Sequence, residues 1–486
     1  MQLNKLIDKY QIFILVLVFL LGFSVRFYRF DNPIADWHSW RQADTSAVSR
    51  NFVKTGFDIM QPRFDDLSNV PSGLDNPLGY RFVEFPIFNV LQAGAFKTIG
   101  VLTLEEWGRM VSIFASIFSA LFLYFIVKKR LGGLVGLFTA FFFLFIPFNI
   151  YYSRVILPDP LMVSASLGGI YFFDKWLEKD LRLKIYDLRF LAALIFTAAA
   201  FLLKPYALFF TLTMLYIVFE KFGLGFFKKW QLWLLAVISL LPLIGWRIWM
   251  THFPEGIPAS NWLFNGNNIR FRPSFFYWIF YQRITKLILG YLGVLILIPV
   301  FFKKYKKNDL FFVSSFVVAS LIYVCVLATG NVQHDYYQIL IIPSVAVVLA
   351  VGSEELLKRL EKIKQHLGFA VLAILIFLSF YFSWQQVKDY FNINNPSIIA
   401  AGNAVDKLTP KNAKVLANYN GDTSFLYQTN RKGWASFEKP LPQMISMGAS
   451  YLVLANPTSI DLNLSKTYKV VSETKQYVIF NLTEKP

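Results

Sequence analysis

Residues 84–100 read EFPIFNVLQAGAFKTIG, and the course of this segment decides the fold of the whole chain. The segment is apolar enough to be taken for a membrane span, yet it opens with Glu84 and Pro86. If it crossed a bilayer, every later loop would lie on the opposite side. Its interpretation therefore depends on the charges of the loops that follow.

The composition around this segment is that of a membrane protein. Of 486 residues, 56% are hydrophobic and only 16% are charged, whereas about a quarter are charged in soluble domains. Several apolar runs come close to the roughly 20 residues that cross hydrocarbon, so we expect about eleven spans. They lie near 11–28, 108–127, 132–150, 158–176, 188–203, 205–220, 230–250, 285–302, 309–328, 337–352 and 368–385.

The net charge of +18 is explained by basic loops beside anionic lipid, so we expect membrane lipids as partners and no nucleic acid. Lysine and arginine gather in alternate loops, which the positive-inside rule places in the cytoplasm. These loops are 128–130, 175–189, 221–229, 303–307 and 358–364. The N-terminus is then cytoplasmic, and both the loop 29–107 and everything after 386 face outward across a plasma or inner membrane. This holds only if 84–100 does not cross, so we predict an interfacial helix there.

The last hundred residues differ in character, because polar residues return and the apolar runs shorten. The pattern predicts helices at 396–408, 423–429 and 440–448, and strands at 413–418, 450–454, 467–471 and 475–481. The predicted fold is a polytopic α-helical membrane module over residues 1–386, followed by a small extracytoplasmic α/β domain over 387–486.

The first outer loop carries the densest polar group, DWHSWRQADT at 36–45. From Ser39 the pattern predicts an amphipathic helix on the outer face, with Arg41 and Asp44 on one side of it. Asp36, His38 and Asp44 supply titratable groups close to the bilayer. A solvated interfacial helix anchored by its tryptophans is the simpler alternative.

Other polar positions fall on the same face. Asp159 stands between two prolines in the first turn of a predicted helix, where an aspartate also serves as a cap. Lys204 separates two apolar runs, where a lysine that merely snorkels is the ordinary explanation. The remaining candidates are Arg154 before Asp159, Glu84 at the start of the interfacial segment, and His334, Asp335 and Tyr337 in QHDYYQ.

One outward-facing active site explains these clusters together. A lipid-linked phosphate can anchor its tail in the bilayer and present its head group at this surface. A lysine or arginine can neutralise the leaving phosphate, and a carboxylate can deprotonate an acceptor hydroxyl.

Five motifs resemble the GT-C superfamily of membrane glycosyltransferases, most of all the bacterial branch that groups protein O-mannosyltransferases with the aminoarabinose transferase of lipid A. The motifs are HSWRQADTSAVSRNF, EFPIFN, LPDPLM, LKPYAL and HDYYQILIIPSVAVVLA, and they extend over about the first 350 residues. The resemblance implies a polyprenyl-phosphate sugar as donor and a lipid, glycan or protein as acceptor.

By this resemblance, Asp159 matches the second family aspartate and would be a catalytic residue that orients the donor or the base. Lys204 matches the phosphate-contacting lysine. The family's first-loop Asp-Glu pair is replaced by Arg41 and Gln42, so Asp44 or Asp36 would be the base for an inverting transfer. Arg41 and Arg154 would assist Lys204 at the donor phosphate. Glu84 and His334 would line the site or bind a divalent metal, although no tight metal-ligand spacing is present.

Two further classes of function stay open. A lipid-linked sugar transporter would place ionisable residues at mid-membrane, whereas these lie at one rim. A ligase that moves whole lipid-linked oligosaccharides would use the same kind of outer loop. A receptor with an outer α/β domain would leave Asp159 and Lys204 without a shared role.

Overall fold

The computed structural model describes residues 2–178, 187–364 and 366–486. Residues 179–186, within the predicted basic loop 175–189, lie outside the described residues. The α-helices up to residue 387 are α1 (Gln2–Ser24), α2 (Ser39–Thr55), α3 (Ile87–Thr98), α4 (Leu104–Leu131), α5 (Gly133–Phe145), α6 (Pro147–Tyr152), α7 (Pro158–Leu177), α8 (Leu188–Leu203), α9 (Thr211–Phe222), α10 (Trp230–Met250), α11 (Trp262–Asn265), α12 (Pro273–Phe276), α13 (Gly293–Leu297), α14 (Lys307–Val326), α15 (Ala328–Gln333), α16 (Ile342–Glu361) and α17 (Leu367–Val387). A π-helix at Tyr277–Ile288 follows α12.

Within the described residues, seven helical segments are long and apolar enough to cross a membrane. They are Tyr10–Phe27, Leu104–Leu131, Pro205–Lys228, Trp230–Met250, Lys307–Val326, Asp335–Glu361 and Leu367–Leu408. An eighth is formed if the pair Pro273–Ile288 and Gly293–Phe302, bent by 100°, counts as one span. The chain is thus a multi-pass membrane protein, but the predicted count of eleven is not confirmed.

The remaining predicted spans correspond to helices that are shorter or enclosed by protein. Helices α5 and α8 have 13 and 16 residues. Helix α7 has 20 residues, most of them buried, and its small residues let α8 approach closely, as is usual between membrane helices. A Cβ atom at Gly169 would lie 2.7 Å from the Thr197 hydroxyl.

The deciding segment forms α3, a helix of 12 residues. Such a helix is about 18 Å long, well short of the roughly 30 Å of hydrocarbon in a bilayer. It packs against α2 and α4. The segment therefore does not form a regular span, as the loop charges predict.

The C-terminal region folds around a mixed sheet of five strands in the order β2-β1-β3-β5-β4. The strands are β1 (Lys414–Ala417), β2 (Lys432–Trp434), β3 (Tyr451–Ala455), β4 (Lys469–Glu473) and β5 (Tyr477–Asn481). Pairs β1–β2 and β1–β3 are parallel, and β3–β5 and β4–β5 are antiparallel. The helices are α18 (Pro396–Leu408), α19 (Thr423–Gln428), α20 (Leu441–Ser446) and α21 (Ser459–Leu462). Four strands match the prediction, and the three-residue β2 is additional.

The first outer loop is built into this C-terminal unit. The Leu67 backbone N–H donates to the Gly433 carbonyl and the Gly433 N–H donates to the Asp65 carbonyl, so the loop continues the sheet beside β2. Ala35 and Leu67 belong to the two hydrophobic cores of the sheet. The loop and the C-terminal unit therefore hold each other in place.

Helix α2 is enclosed between α3 and the C-terminal unit's α19. A helix begins at Ser39 as predicted, but most of its residues are buried, so the alternative of a solvated interfacial helix is wrong. Its polar side chains are satisfied by other protein groups. Ser46 pairs with the Tyr427 hydroxyl, and Ser49 donates to Gln92.

Candidate active site

A cavity of about 770 Å³ opens where α2, the first outer loop, the C-terminal end of α10 and the C-terminal unit meet. Five of the predicted site residues line its wall. They are Arg41, Asp44, Glu84, Lys204 and Tyr337. Aromatic side chains, among them Trp40, Tyr206, Tyr336 and Trp262, complete the lining. Residues that are far apart in the sequence thus meet at one site.

Local sequence explains how two of these groups are presented. Lys204 has extended backbone angles at the break between α8 and the next helical turn, because a residue before proline is disfavoured in a helix. The break turns the lysine toward the cavity. Asp159 is fixed in the first turn of α7 by Pro158, a residue suited to the first helical position.

Three carboxylates in or directly behind the cavity wall are each paired with a cation. The Lys204 Nζ donates to Asp159 Oδ1 at 2.8 Å, and the Arg81 Nη2 donates to Asp44 Oδ2 at 2.6 Å. The Arg41 guanidinium holds both oxygens of Glu84, at 2.6 and 2.9 Å. Burial acts to lower the pKa of Arg41, but Glu84 and, to a smaller extent, Tyr336, Asp44 and Asp159 together outweigh this and raise that pKa.

Asp159 lies behind Lys204 rather than in the cavity lining. Its side chain is almost fully buried, and Lys204 contacts only one of its two oxygens. The other oxygen, Oδ2, has no hydrogen-bond partner among the described residues. Asp159 is therefore placed to fix the lysine, not to touch a ligand in the cavity.

Arg247, in the last turn of α10, is the exception among the lining cations. It is exposed and forms no ion pair or hydrogen bond with any other residue that the structure describes. A guanidinium without a counter-ion at a cavity wall is a site for an anion, and a phosphate suits its planar fork.

Asp36 and Arg154 lie outside the cavity and bind each other. Both side chains are fully buried, and the Arg154 Nη2 donates to Asp36 Oδ2 at 3.1 Å. Gln42 donates to the other oxygen of Asp36 at 2.7 Å. Burial raises the pKa of Asp36, against the lowering effect of Arg154. This pair joins the first outer loop to the segment before α7.

His38 and Asp335 also lie outside the cavity, in a separate buried cluster. The His38 Nε2 is 2.7 Å from Asp335 Oδ1, and Tyr390 donates to Asp335 Oδ2 at 2.7 Å. His38 has a left-handed backbone at the start of α2. The cluster therefore fixes where α2 begins. His334 stacks on Tyr336, which lines the cavity, so it supports the wall from behind.

Several lining residues were not predicted from the sequence. They are Arg81, Asp66, Arg247, Tyr336, Trp262 and Thr423. Asp66 is buried in the outer loop with only Ser68 and backbone groups as partners, and this burial raises its pKa to about 6. Arg81 had a weak sequence signal, since it stands three residues before Glu84. Thr423 had none.

Within residues 2–178, 187–364 and 366–486, no group of three or more His, Cys, Asp or Glu side chains is arranged to hold a metal ion. Glu84 is occupied by Arg41, and His334 is packed among aromatic rings. The metal site at Glu84 and His334 stays a prediction.

The described residues thus form a multi-pass helical scaffold with a charged cavity and a small five-stranded sheet. A family model described as dolichyl-phosphate-mannose-protein mannosyltransferase matches residues 84–249. That range includes Glu84, Asp159, Lys204 and Arg247. No curated protein is significantly similar to the chain in sequence.

Solved structures share the fold over nearly the whole chain. ArnT from Cupriavidus metallidurans bound to undecaprenyl phosphate has a TM-score of 0.66 at 13% identity, over 96% of this chain and 97% of that one. The Archaeoglobus fulgidus oligosaccharyltransferase in complex with Zn and sulfate gives 0.61 at 11% identity, over 94% and 71%. AglB from the same organism, with an inhibitory peptide and a dolichol-phosphate, gives 0.61 at 12%, over 97% and 74%. The predicted likeness to GT-C glycosyltransferases is confirmed.

Proposed function

We propose that the chain is an integral-membrane glycosyltransferase that moves a hexose or pentose from a polyprenyl-phosphate donor to an acceptor hydroxyl outside the cytoplasm. The observation that carries the proposal is that Asp44 and Lys204, a base and a phosphate-binding cation in type, line one cavity. The family model and the shared fold support the reaction class.

The donor phosphate is assigned to Lys204 and Arg247. Lys204 lines the cavity with its charge balanced by Asp159, and Arg247 lines the same cavity without a counter-ion among the described residues. A donor of this kind keeps its lipid tail in the bilayer, and α10 is one of the membrane-crossing segments. The phosphate of a membrane-anchored donor can therefore reach Arg247 at the outer end of that helix.

The base is assigned to Asp44 rather than Asp36. Asp44 lines the cavity, whereas Asp36 is enclosed with Arg154. In the proposed reaction, Asp44 takes the proton of the acceptor hydroxyl while the acceptor oxygen attacks the anomeric carbon. The bond from that carbon to the phosphate oxygen breaks, and its electron pair leaves with the polyprenyl phosphate. A direct displacement of this kind inverts the anomeric carbon.

Arg41 and Glu84 form the wall beside the base. Because they neutralise each other, we assign them to holding the wall and orienting the sugar, not to proton transfer. The aromatic lining, with Trp40 and Trp262, offers flat apolar surfaces against which a sugar ring can pack.

The proposal includes an orientation, with the N-terminus in the cytoplasm and the C-terminal unit outside. Basic residues of the predicted inner loops surround a common cleft, among them Lys129, Lys221 and Lys307. Helix α4 runs from Glu105, which accepts a hydrogen bond from Tyr427 of the C-terminal unit, to Lys129 and Arg130 in this cleft. The two features therefore lie at opposite ends of the same helix, as the positive-inside rule requires.

The test is transfer by the purified, reconstituted full chain. It would be incubated with a panel of polyprenyl-phosphate sugars, and release of free polyprenyl phosphate would be measured. We expect release with one donor, reduced about 10²-fold or more by Asp44→Asn. Asp75→Asn is the matched control, because Asp75 lies in the same loop but is exposed and outside the cavity.

Two results would change the assignment. Consumption of none of these donors, with turnover of a lipid-linked oligosaccharide instead, would establish a ligase, which the fold shared with the oligosaccharyltransferase also suits. Wild-type turnover by Asp44→Asn would remove this residue from proton transfer.

A further inference from the structure

Thr423, at the start of α19, reaches across from the C-terminal unit to the proposed base. Its hydroxyl lies 2.7 Å from Asp44 Oδ1 and 3.1 Å from the Trp40 backbone carbonyl. Thr423 is buried and lines the cavity. The same carboxylate binds Arg81 through Oδ2, so each of its oxygens has a donor.

One hydroxyl carries one proton, and here it has two acceptors. With Asp44 ionised, the proton goes to the carboxylate, which is both closer and charged. If Asp44 Oδ1 becomes protonated, the Thr423 hydroxyl can rotate its proton to the Trp40 carbonyl. Arg81 has no such freedom, because a guanidinium stays protonated and donates only.

The position of Thr423 is fixed by contacts on its own helix. The Tyr427 hydroxyl, one turn further along α19, pairs with Ser46 of α2 and donates to Glu105 of α4. The Arg50 guanidinium lies over the Tyr427 ring at 3.8 Å. Asp422 caps the helix by accepting from the Ser424 backbone N–H at 2.8 Å. These contacts of α19 with α2 and α4 fix the position of Thr423 relative to Asp44.

We infer that Thr423 is a positioning residue for the base: it holds Asp44 Oδ1 toward the cavity and turns to the Trp40 carbonyl when that oxygen receives the acceptor proton. The inference rests on the proposed function. The bonds that form and break are those of the proposed transfer, and the acceptor proton is assigned to Asp44 Oδ1. The C-terminal unit is then part of the active site, because it supplies a group that contacts the base.

Other charged groups act on Asp44 and have to stay unchanged in a test. Arg41 lies on the same helix, Arg81 and Asp66 come from the outer loop, and Asp422 comes from the C-terminal unit. Because none of these is altered by a change at Thr423, its effect on the pH profile can be separated from theirs.

The experiment compares Thr423→Val, which keeps the shape, with Thr423→Ser, which keeps the hydroxyl. We expect Thr423→Val to lower kcat about tenfold and to move the acid limb of the kcat–pH profile upward by about one pH unit, since a donor to the carboxylate favours its ionised form. The KM for the donor stays the same because the phosphate site does not involve Thr423. Thr423→Ser restores both quantities.

Ser424→Ala is the matched control. Ser424 is the next residue of α19, and its buried hydroxyl has no hydrogen-bond partner among the described residues, so its loss leaves the pH profile unchanged. An unshifted acid limb in Thr423→Val, or a loss that Thr423→Ser does not restore, would overturn the inference.

A thermal melting cycle with Asp44→Asn, Thr423→Val and the double variant separates this inference from the proposed function. It measures the contact without any turnover, and we expect the two melting shifts to be non-additive. Additive shifts would show that the contact is absent in solution, even for an active enzyme. An inactive wild-type chain with non-additive shifts would contradict the proposed reaction but not the contact.

Discussion

Replacing Asp159 with asparagine tests whether sugar transfer depends on the buried ion pair between Asp159 and Lys204. Asp159 and Lys204 are 2.8 Å apart, with 6% and 8% of their side chains exposed. Asparagine keeps the shape but removes the charge that holds the lysine. We expect kcat/KM for transfer to fall about 10²-fold, or about 2.7 kcal/mol, because the ammonium no longer stays in place for the leaving phosphate.

The diagnostic measurement is kcat/KM of the double variant that combines Asp159→Asn with Lys204→Met. Lys204→Met should also lower kcat/KM about 10²-fold, since it removes the cation itself. If Asp159 acts only through Lys204, the double variant loses little more than Lys204→Met alone. Independent roles would instead multiply to a loss of about 10⁴-fold.

Stability has to be measured beside activity, because breaking a buried pair costs about 3–5 kcal/mol when one charge is left alone. The double variant leaves neither charge, so we expect it to melt above Asp159→Asn. Full activity of Asp159→Asn, or multiplicative losses in the double variant, would refute the reasoning.

Three further predictions follow from single residues. Arg247→Ala should raise the donor KM about tenfold with a smaller change in kcat, measured in the same transfer assay, because it removes a charged hydrogen bond to the phosphate. The folded chain keeps the proton of Asp66 up to about pH 6, whereas an unfolded aspartate loses its proton near pH 4. The melting temperature should therefore fall as the pH rises from about 4 to about 6. Asp66→Asn should make this fall smaller. The predicted orientation is tested with Asp75→Cys and Lys307→Cys, each made in a variant that lacks Cys325. Because Asp75 lies in a predicted outer loop and Lys307 in a predicted inner loop, an impermeant maleimide should label the two cysteines from opposite sides of sealed vesicles.

Much of the fold could be predicted from the sequence because the signals are local. Apolar runs mark helices wherever lipid replaces water, and α/β alternation marks the C-terminal elements. β2 was missed because three residues, Lys432–Trp434, carry too little pattern. Helix α2 was predicted, but its burial was missed for a different reason. Its serines and other polar side chains suggest solvent, but they bond to protein groups from other elements, such as Tyr427.

Some residues of the candidate site could likewise be predicted from local sequence, and others could not. Lys204 and Asp159 stand out because each breaks an apolar pattern. The choice between Asp36 and Asp44 depends on partners far along the chain, Arg154 for one and Arg81 for the other. Arg247 and Thr423 become visible only when the chain is folded, since nothing near them in the sequence marks a cavity.

The pairing of charges in the cavity has a consequence for the proposed reaction. A sugar phosphodiester carries one negative charge, whereas the released phosphate monoester gains most of a second one near pH 7. When Asp44 accepts the acceptor proton it becomes neutral, and Arg81 loses its counter-charge in the same step. The cavity wall therefore gains about one positive charge as the leaving group gains about one negative charge. Because separated charges are costly in a site of low dielectric, the Arg81 guanidinium left without its counter-charge then favours the negative charge of the leaving phosphate.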